Sequence, residues 1–326
     1  MKKSLFVGCL VLLVAGGTQK LSSTAARAEN LSQVAQLSKQ SAKTPSQAQN
    51  QLKLLSTGTE PRRQLRLAPA ENAKQTAQMT MKIDVEMSVA GQTQRLPAPP
   101  SIQTTVESNV TKVDANGDIH VNLSYLNSDV VADANTPPQL VNAMRSQMKK
   151  LSGMSSSAIL DNQGNTKQVS FNLPQGLDPN TKQMMEQMMN SIKQLSLPIP
   201  AESVGVGAKW QFPNSVVVNG MALHQITTCE LVELKDNVAT LQVSIEQQAE
   251  PQKMTPPGLP AGTSVDLKSM NSQGNGQVMI ALNQILPIRS NMSVHTNMEM
   301  AFKDAESQKE MLMGMNSVME MMFQSK

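Results

Sequence analysis

The sequence is poor in aromatic residues, and this scarcity excludes several kinds of binding protein. Phe, Trp and Tyr make up 2% of the 326 residues, with a single Trp and a single Tyr. Proteins that bind single-stranded nucleic acids stack the bases on aromatic side chains. A strongly basic surface, which nucleic-acid binding also needs, is missing because 28 basic residues face 25 acidic ones. We therefore expect no nucleic-acid partner.

Cysteine and histidine are scarce as well, with two and three residues. Once Cys9 leaves with the leader described below, Cys229 stands alone, which excludes an intramolecular disulfide, a CxxC pair and a thiolate zinc site. His120, His224 and His295 fall in predicted strands, with no identifiable nucleophile or orienting carboxylate beside them. The GxSxG, HExxH and phosphate-loop motifs are absent. The sequence therefore predicts a protein that is not an enzyme and carries no cofactor.

The N-terminus has the pattern of a secretory signal peptide. Lys2 and Lys3 precede the apolar run at residues 5–15, and a stretch of small and polar residues then ends at Ala26-Arg27-Ala28. The run is too short for a permanent membrane helix, which needs about 20 apolar residues. We expect cleavage after Ala28, a secreted or periplasmic location, and no transmembrane segment in the mature chain. Because residues 1–28 contain four basic residues and no acid, the net charge changes from +3 to −1.

The remaining chain divides by composition and pattern. Residues 29–60 are rich in Gln, Ser, Ala, Lys and Thr, which predicts a flexible tether. Residues 61–200 are predicted to form a first half-sheet unit with two helices, and residues 201–326 a second half-sheet unit. Gln163-Gly164-Asn165 and Gln273-Gly274-Asn275, both interpreted as turns, lie at a domain-sized spacing. This spacing predicts an internal duplication.

Hydrophobic periodicity predicts mostly strands. From Met79 to Val89 the odd positions are apolar and the even positions polar, which is typical of a strand with one buried face. Residues 138–152 and 180–195 instead have apolar residues at helical spacing. The segment 309–323 fits both patterns, and a final hairpin is favoured. The predicted class is α+β and β-rich: one or more curved antiparallel sheets, crossed by two amphipathic helices.

Methionine is the unusual component, with 24 residues. Its unbranched, polarisable side chain makes an adaptable apolar surface. If the two helices cross the concave face of the sheet, their methionines face the strand methionines across an apolar gap. The candidate ligand-binding residues are Met144, Met148, Met185, Met188 and Met189. Ordinary core packing and Cu(I) binding at Met-x-Met spacings such as Met79/Met81 are the alternatives.

The order of features resembles a family of uncharacterised secreted bacterial proteins. The resemblance lies in the opening strand Leu65-Arg66-Leu67 and in the segment Leu197-Pro198-Ile199-Pro200, which is followed by Val206-Gly207-Ala208-Lys209-Trp210. The likeness covers residues 61–326 and implies no catalytic residue. In plan, the chain also resembles periplasmic lipoprotein carriers.

These observations together favour an extracytoplasmic binding or carrier protein for an apolar, lipid-like ligand. Its partner would be an apolar small molecule or an envelope protein. The alternative is a structural or assembly protein of the cell envelope without a small ligand.

The first prediction concerns processing. We expect the exported protein to begin at Glu29, because Ala26 and Ala28 occupy the small-residue positions that signal peptidase recognises. N-terminal sequencing of the exported protein measures this directly. A lipid-modified Cys9 at the terminus would contradict both the cleavage site and the absence of an anchor.

Overall fold

A computed structural model describes residues 52–89, 91–132, 136–151, 153–172, 198–218, 221–254, 264–303 and 310–326. The predicted signal peptide, most of the tether and the predicted helix at 180–195 lie outside these ranges. The elements within them are β1 (Lys53–Ser56), β2 (Arg63–Gln64), β3 (Lys74–Val89), β4 (Gln92–Arg95), β5 (Ser101–Val113), β6 (Ile119–Val131), α1 (Pro138–Leu151), β7 (Ser155–Leu160), β8 (Thr166–Asn172), β9 (Ser203–Val204), β10 (Lys209–Val218), β11 (Met221–Lys235), β12 (Val238–Ala249), β13 (Gln252–Met254), β14 (Ser264–Ala281), β15 (Arg289–Lys303) and β16 (Glu310–Ser325).

Nearly all strands belong to one antiparallel sheet. Its order is β1-β10-β11-β12-β14-β15-β16-β3-β5-β6-β7-β8, with β13 paired to β14 and β4 to β3, while β2 and β9 form a separate pair. The strands of the two predicted half-sheet units are continuous, because β16 pairs with β3 from Met313↔Val89 to Ser325↔Ala77. The two units therefore share a single sheet. The duplication itself stays a prediction.

The predicted α+β class with two crossing helices is wrong. Within the described ranges α1 is the single helix, and it packs Val141 and Met144 against Val130 of β6. The strands are long, since apolar and polar residues alternate over whole elements; β14 alone has 18 residues. Each such strand buries one face within the curved sheet. No helical layer over the sheet is seen in this part of the chain.

One predicted turn is also wrong. Gln273-Gly274-Asn275 lies inside β14, where Gly274 stands between Ile245 of β12 and Val294 of β15. The alternation continues through these residues, and glycine here makes room for a neighbouring side chain instead of reversing the chain. The predicted turns at 114–117 and 162–165 and the final hairpin of β15 with β16 are confirmed.

The sheet is strongly curled, and two consecutive backbone hydrogen bonds prove it. Leu67 N donates to Asn162 O in the β7–β8 turn at 2.8 Å, and Ala68 N donates to Leu282 O just after β14 at 2.7 Å. In a flat sheet β14 and β7 would lie about 29 Å apart, at about 4.8 Å for each strand. Consecutive Cα atoms are separated by about 3.8 Å. The sheet must therefore bend around a concave inner face.

A second chain segment spans the same end of the sheet. Trp210 of β10 donates from Nε1 to Pro198 O at 2.9 Å, and Ile199 N donates to Gln163 O at 2.8 Å. β10 and the β7–β8 turn lie near opposite edges of the sheet. Residues 65–73 and 198–208 are called the lower plug here, because they fill the end of the curl where β7 turns into β8 and β14 into β15.

Among the described residues, four clusters of buried side chains stabilise this arrangement. The lower core surrounds Trp210, which is fully buried with Leu65, Val204 and Leu231. A second cluster at Val110 joins the lower plug through Leu67. The upper core is rich in methionine and lies at the other end of the sheet. The fourth cluster joins α1 to β6.

One register row crosses most of the sheet on its inner face. Residues directly opposite each other in neighbouring strands share a face. The central row consists of Trp210, Cys229, Val243, Gly276, Met292, Met321, Met81, Ile102 and Val130. Every residue in it is apolar or glycine, so the inner face is apolar across its whole width at this level.

Gly276 in the central row supplies the second prediction. A Cβ atom at this position would clash with the Asn291 carbonyl oxygen and the Met292 sulfur. Because a backbone atom cannot move aside cheaply, we expect Gly276→Ala to lower the free energy of unfolding by about 1–3 kcal/mol. The exposed neighbour gives the control, and Asn275→Ala should change it by less than about 0.5 kcal/mol. Urea unfolding measures both, and equal stability of the two variants would contradict the inner-face packing.

Candidate functional site

The inner face carries a block of apolar side chains on three adjacent strands. It is named the inner apolar strip and consists of Met79, Met81 and Ile83 on β3, Met319, Met321 and Phe323 on β16, and Met292 and Val294 on β15. Cross-strand pairing brings them into contact distance, as in Met292↔Met321↔Met81 and Val294↔Met319↔Ile83. The strip therefore forms one continuous apolar surface.

The inner apolar strip is only half-buried. All of its members are intermediate in exposure, in contrast to Cys229 and Leu241 on the far side of the same face, which are almost completely buried. Apart from Met292, which packs against the lower core, none of them belongs to the four clusters formed by the described residues. Within the described part of the chain, the strip's side chains therefore keep accessible apolar surface that their neighbours do not cover.

A row of polar side chains borders this surface. Ile245, Val294 and Met319 lie in one register row of the inner face. The next inner-face row, two residues further along each strand, is polar; it is called the polar row and crosses five strands. It consists of Gln225, Gln247, Ser272, Thr296 and Ser317. Beyond it lies the upper core, which begins at Met270, Met298 and Met315. The polar row therefore separates two apolar zones on one inner face.

Hydrogen bonds join several side chains of the polar row. Gln247 Nε2 donates to Gln225 Oε1 at 2.7 Å, and Gln225 Nε2 donates to Thr227 Oγ1 at 3.0 Å. Ser272 Oγ and Thr296 Oγ1 lie 2.9 Å apart. Gln225 and Ser272 are buried, and Gln247 and Thr296 are half-buried. Such bonds offset the cost of placing polar groups in an apolar interior.

The predicted ligand residues divide between described and undescribed chain. Met144 is buried against Val130 and Val141, and Met148 packs partly against the same cluster. This cluster touches the strip through the pair Met81↔Ile102. Met185, Met188 and Met189 lie outside the described residues. A ligand role for these five residues stays a prediction, while the strand methionines of the inner apolar strip form the surface that sequence reasoning did not assemble.

Of the Met-x-Met spacings that suggested copper, Met79/Met81 lies in the inner apolar strip, whereas Met298/Met300 and Met313/Met315 fall in the upper core. Met300 and Met313 are buried there, with Met298 and Met315 packed against them. Among the described residues, no group of three or more His, Cys, Asp or Glu side chains is arranged to hold a metal ion. The packing favours a core role for the methionines of these last two pairs.

A charged cluster at the β5–β6 turn contradicts the expectation that no carboxylate lies beside a histidine. His120 Nε2 lies 2.7 Å from Asp114 Oδ2, and Lys112 Nζ lies 2.5 Å from Asp114 Oδ1. Hydrogen bonds from Lys112 and His120 lower the pKa of Asp114, and Asp114 raises the pKa of Lys112. The sequence signal that was available is the predicted tight turn at 114–117, which brings Lys112 and His120 opposite each other on the paired strands.

This cluster stabilises the turn at neutral pH. A carboxyl whose pKa is lowered by folding adds stability above its ordinary pKa of about 3.9 and loses it as the pH falls further. His120 also lines a surface cavity of about 200 Å³ together with Thr111, Asn122, Ser157 and Ser170. The cavity lies on the outer side of the sheet, away from the inner apolar strip, because Lys112 and His120 face opposite to Val121.

Comparison with known proteins gives no family. No protein-family model and no curated protein matches the chain. A crystal structure of Pseudomonas aeruginosa OccK11 aligns at 5% identity over 79% of this chain and 98% of that chain, with a TM-score of 0.19. A crystal structure of Acinetobacter baumannii OccAB2 aligns at 5% identity over 76% and 97%, with a TM-score of 0.17. Likenesses at these TM-scores carry no argument about this chain.

The described residues also contain no helix long and apolar enough to cross a membrane.

Cys229 yields the third prediction. Its side chain is fully buried in the lower core, and desolvation raises the pKa of its thiol to about 12. Because the thiolate is the reactive form, we expect negligible alkylation of Cys229 by a maleimide at pH 8 in the folded protein and complete alkylation in denaturant. Mass spectrometry of the peptide that contains Cys229 measures the label. Rapid labelling of the folded protein would show that the lower core opens readily.

Proposed function

We propose that this protein is an extracytoplasmic, non-enzymatic binding or carrier protein that holds an apolar, lipid-like molecule on the inner apolar strip. The observation that carries the proposal is the half-burial of the strip's methionines inside a strongly curled sheet. Apolar surface that remains accessible on a concave face is what ligand sites for apolar molecules present.

The position of the strip supports a ligand rather than packing alone. The lower plug fills one end of the curl, and the upper core fills the other end on the far side of the polar row. The strip lies between them, and of its members only Met292 packs against either cluster. Burial of apolar surface stabilises a complex by about 25 cal/mol for each Å², so an apolar chain laid along the strip gains free energy without any charged partner.

The chemistry of methionine supports the same proposal. Five of the strip's members are methionines: Met79, Met81, Met292, Met319 and Met321. Their flexible side chains adapt to apolar ligands of different shape. The strip differs in burial from the methionine-rich upper core, where Met300 and Met313 are almost completely buried, whereas the strip's methionines are half-buried.

The fourth prediction is a titration with N-phenyl-1-naphthylamine, an uncharged probe that fluoresces in apolar surroundings. We expect saturable binding by the native protein. Met321→Lys should weaken it at least about tenfold, because an ammonium group placed in the strip must be desolvated or displace the probe. The control is Met322→Lys, whose side chain lies on the opposite face and is 45% exposed. It should bind the probe as the native protein does.

Absence of saturable binding, or equal loss in both variants when both remain folded, would contradict the proposal. The structural or assembly role in the envelope would then be the better explanation. A thermal shift with Cu(I) in place of probe binding would favour the copper alternative.

A further inference from the structure

We infer that the polar row is the site of a polar head group and that the ligand is a neutral amphiphile, such as an acyl ester of glycerol, rather than a free fatty acid. This inference rests on the proposed function. The juxtaposition that carries it is a row of uncharged hydrogen-bonding side chains directly beside the inner apolar strip.

The polar row and the inner apolar strip lie close enough for one lipid molecule to contact both. Along β16, Ser317 of the polar row is followed by Met319, Met321 and Phe323 of the strip, all on the inner face. Successive inner residues of a strand lie about 6.6–6.8 Å apart. A molecule with its head group at Ser317 or Thr296 therefore places the next several carbon atoms of its chain on methionine.

The head-group end has hydrogen-bonding capacity for a ligand. A glutamine amide has two donor hydrogens and an acceptor oxygen, and a hydroxyl group both donates and accepts. The bonds within the row use part of this capacity: one amide hydrogen of Gln247 binds Gln225, and Ser272 pairs with Thr296. Gln247, Thr296 and Ser317 are half-buried, as are the members of the strip beside them.

The absence of charge in these rows selects among lipids. The polar row contains no side chain that is charged at neutral pH, and neither do the neighbouring lines through Val294, Met292 and Phe323. Cys229, in the line through Met292, is a buried thiol whose raised pKa keeps it neutral. A carboxylate or phosphate moved into such surroundings loses its hydration and gains no cationic partner from these rows. An ester, an amide or a hydroxyl group loses less and can exchange hydrogen bonds with Gln247 and Thr296. The geometry therefore favours a neutral head group.

The fifth prediction compares two lipids that share one acyl chain. Monooleoylglycerol is neutral, and oleate is ionised at the pH of the assay. Each displaces bound N-phenyl-1-naphthylamine from the full mature protein, below the concentration at which that lipid forms micelles. We expect monooleoylglycerol to compete at a concentration lower by about tenfold or more, since the charged head group must be desolvated.

The role of the polar row is tested with substitutions on β12 and β15. Gln247→Leu removes the amide from the inner face, and Thr296→Val removes a hydroxyl group with little change of shape. Each should weaken binding of monooleoylglycerol at least about threefold, which corresponds to the loss of a hydrogen bond. Gln248→Leu is the matched control, because Gln248 is exposed on the outer face. Affinity for the probe itself should remain unchanged in all three.

The outcomes separate the two proposals. If the probe does not bind the native protein, the proposed function fails, and this inference fails with it. If the probe binds but oleate competes as well as monooleoylglycerol, the neutral-ligand inference alone is overturned. The same holds if the preference persists undiminished in both Gln247→Leu and Thr296→Val, because the polar row would then be only a structural ladder of hydrogen bonds.

Discussion

The fold depends on the lower plug, which holds distant parts of one sheet together. Leu67 and Ala68 form hydrogen bonds to two turns that would be many strands apart in a flat sheet. Ile199 bonds to Gln163 in the β7–β8 turn, while its neighbour Pro198 accepts a bond from Trp210 of β10, near the opposite edge of the sheet. The Ile199 bond lies beside the buried cluster around Trp210, where an unpaired amide or carbonyl would be costly. Without the plug, nothing in strand pairing alone would fix how far the sheet bends.

The bend of the sheet determines which part of the inner face is buried. The central row is apolar along its whole length, but its two halves differ in burial. At β10, β11 and β12 the plug covers it and it becomes core. At β15, β16 and β3 it remains half-buried and forms the inner apolar strip. One pattern of alternation thus produces both a core and a candidate binding surface, depending on what lies opposite.

The polar row shows why such a surface can be selective. A lone polar residue on an apolar inner face would be a defect, whereas four of the row's five residues form two hydrogen-bonded pairs, Gln225 with Gln247 at 2.7 Å and Ser272 with Thr296 at 2.9 Å. Their lack of charge limits the ligands that can be desolvated beside them. The charged cluster of Lys112, Asp114 and His120 lies on the other face, where water screens it, and serves the turn.

The sequence by itself determined the local structure: the strands, the turns at 114–117 and 162–165, the helix at Pro138–Leu151 and the final hairpin follow from period-two or helical spacing and turn chemistry. The turn predicted at 273–275 was wrong, because a glycine can indicate either a turn or a close approach of neighbouring side chains. Register, curl and plug were decided only by the tertiary structure. Which residue of β16 faces which residue of β3 depends on contacts between segments more than 200 positions apart, and no local pattern records them. The inner apolar strip and the polar row exist only through that register.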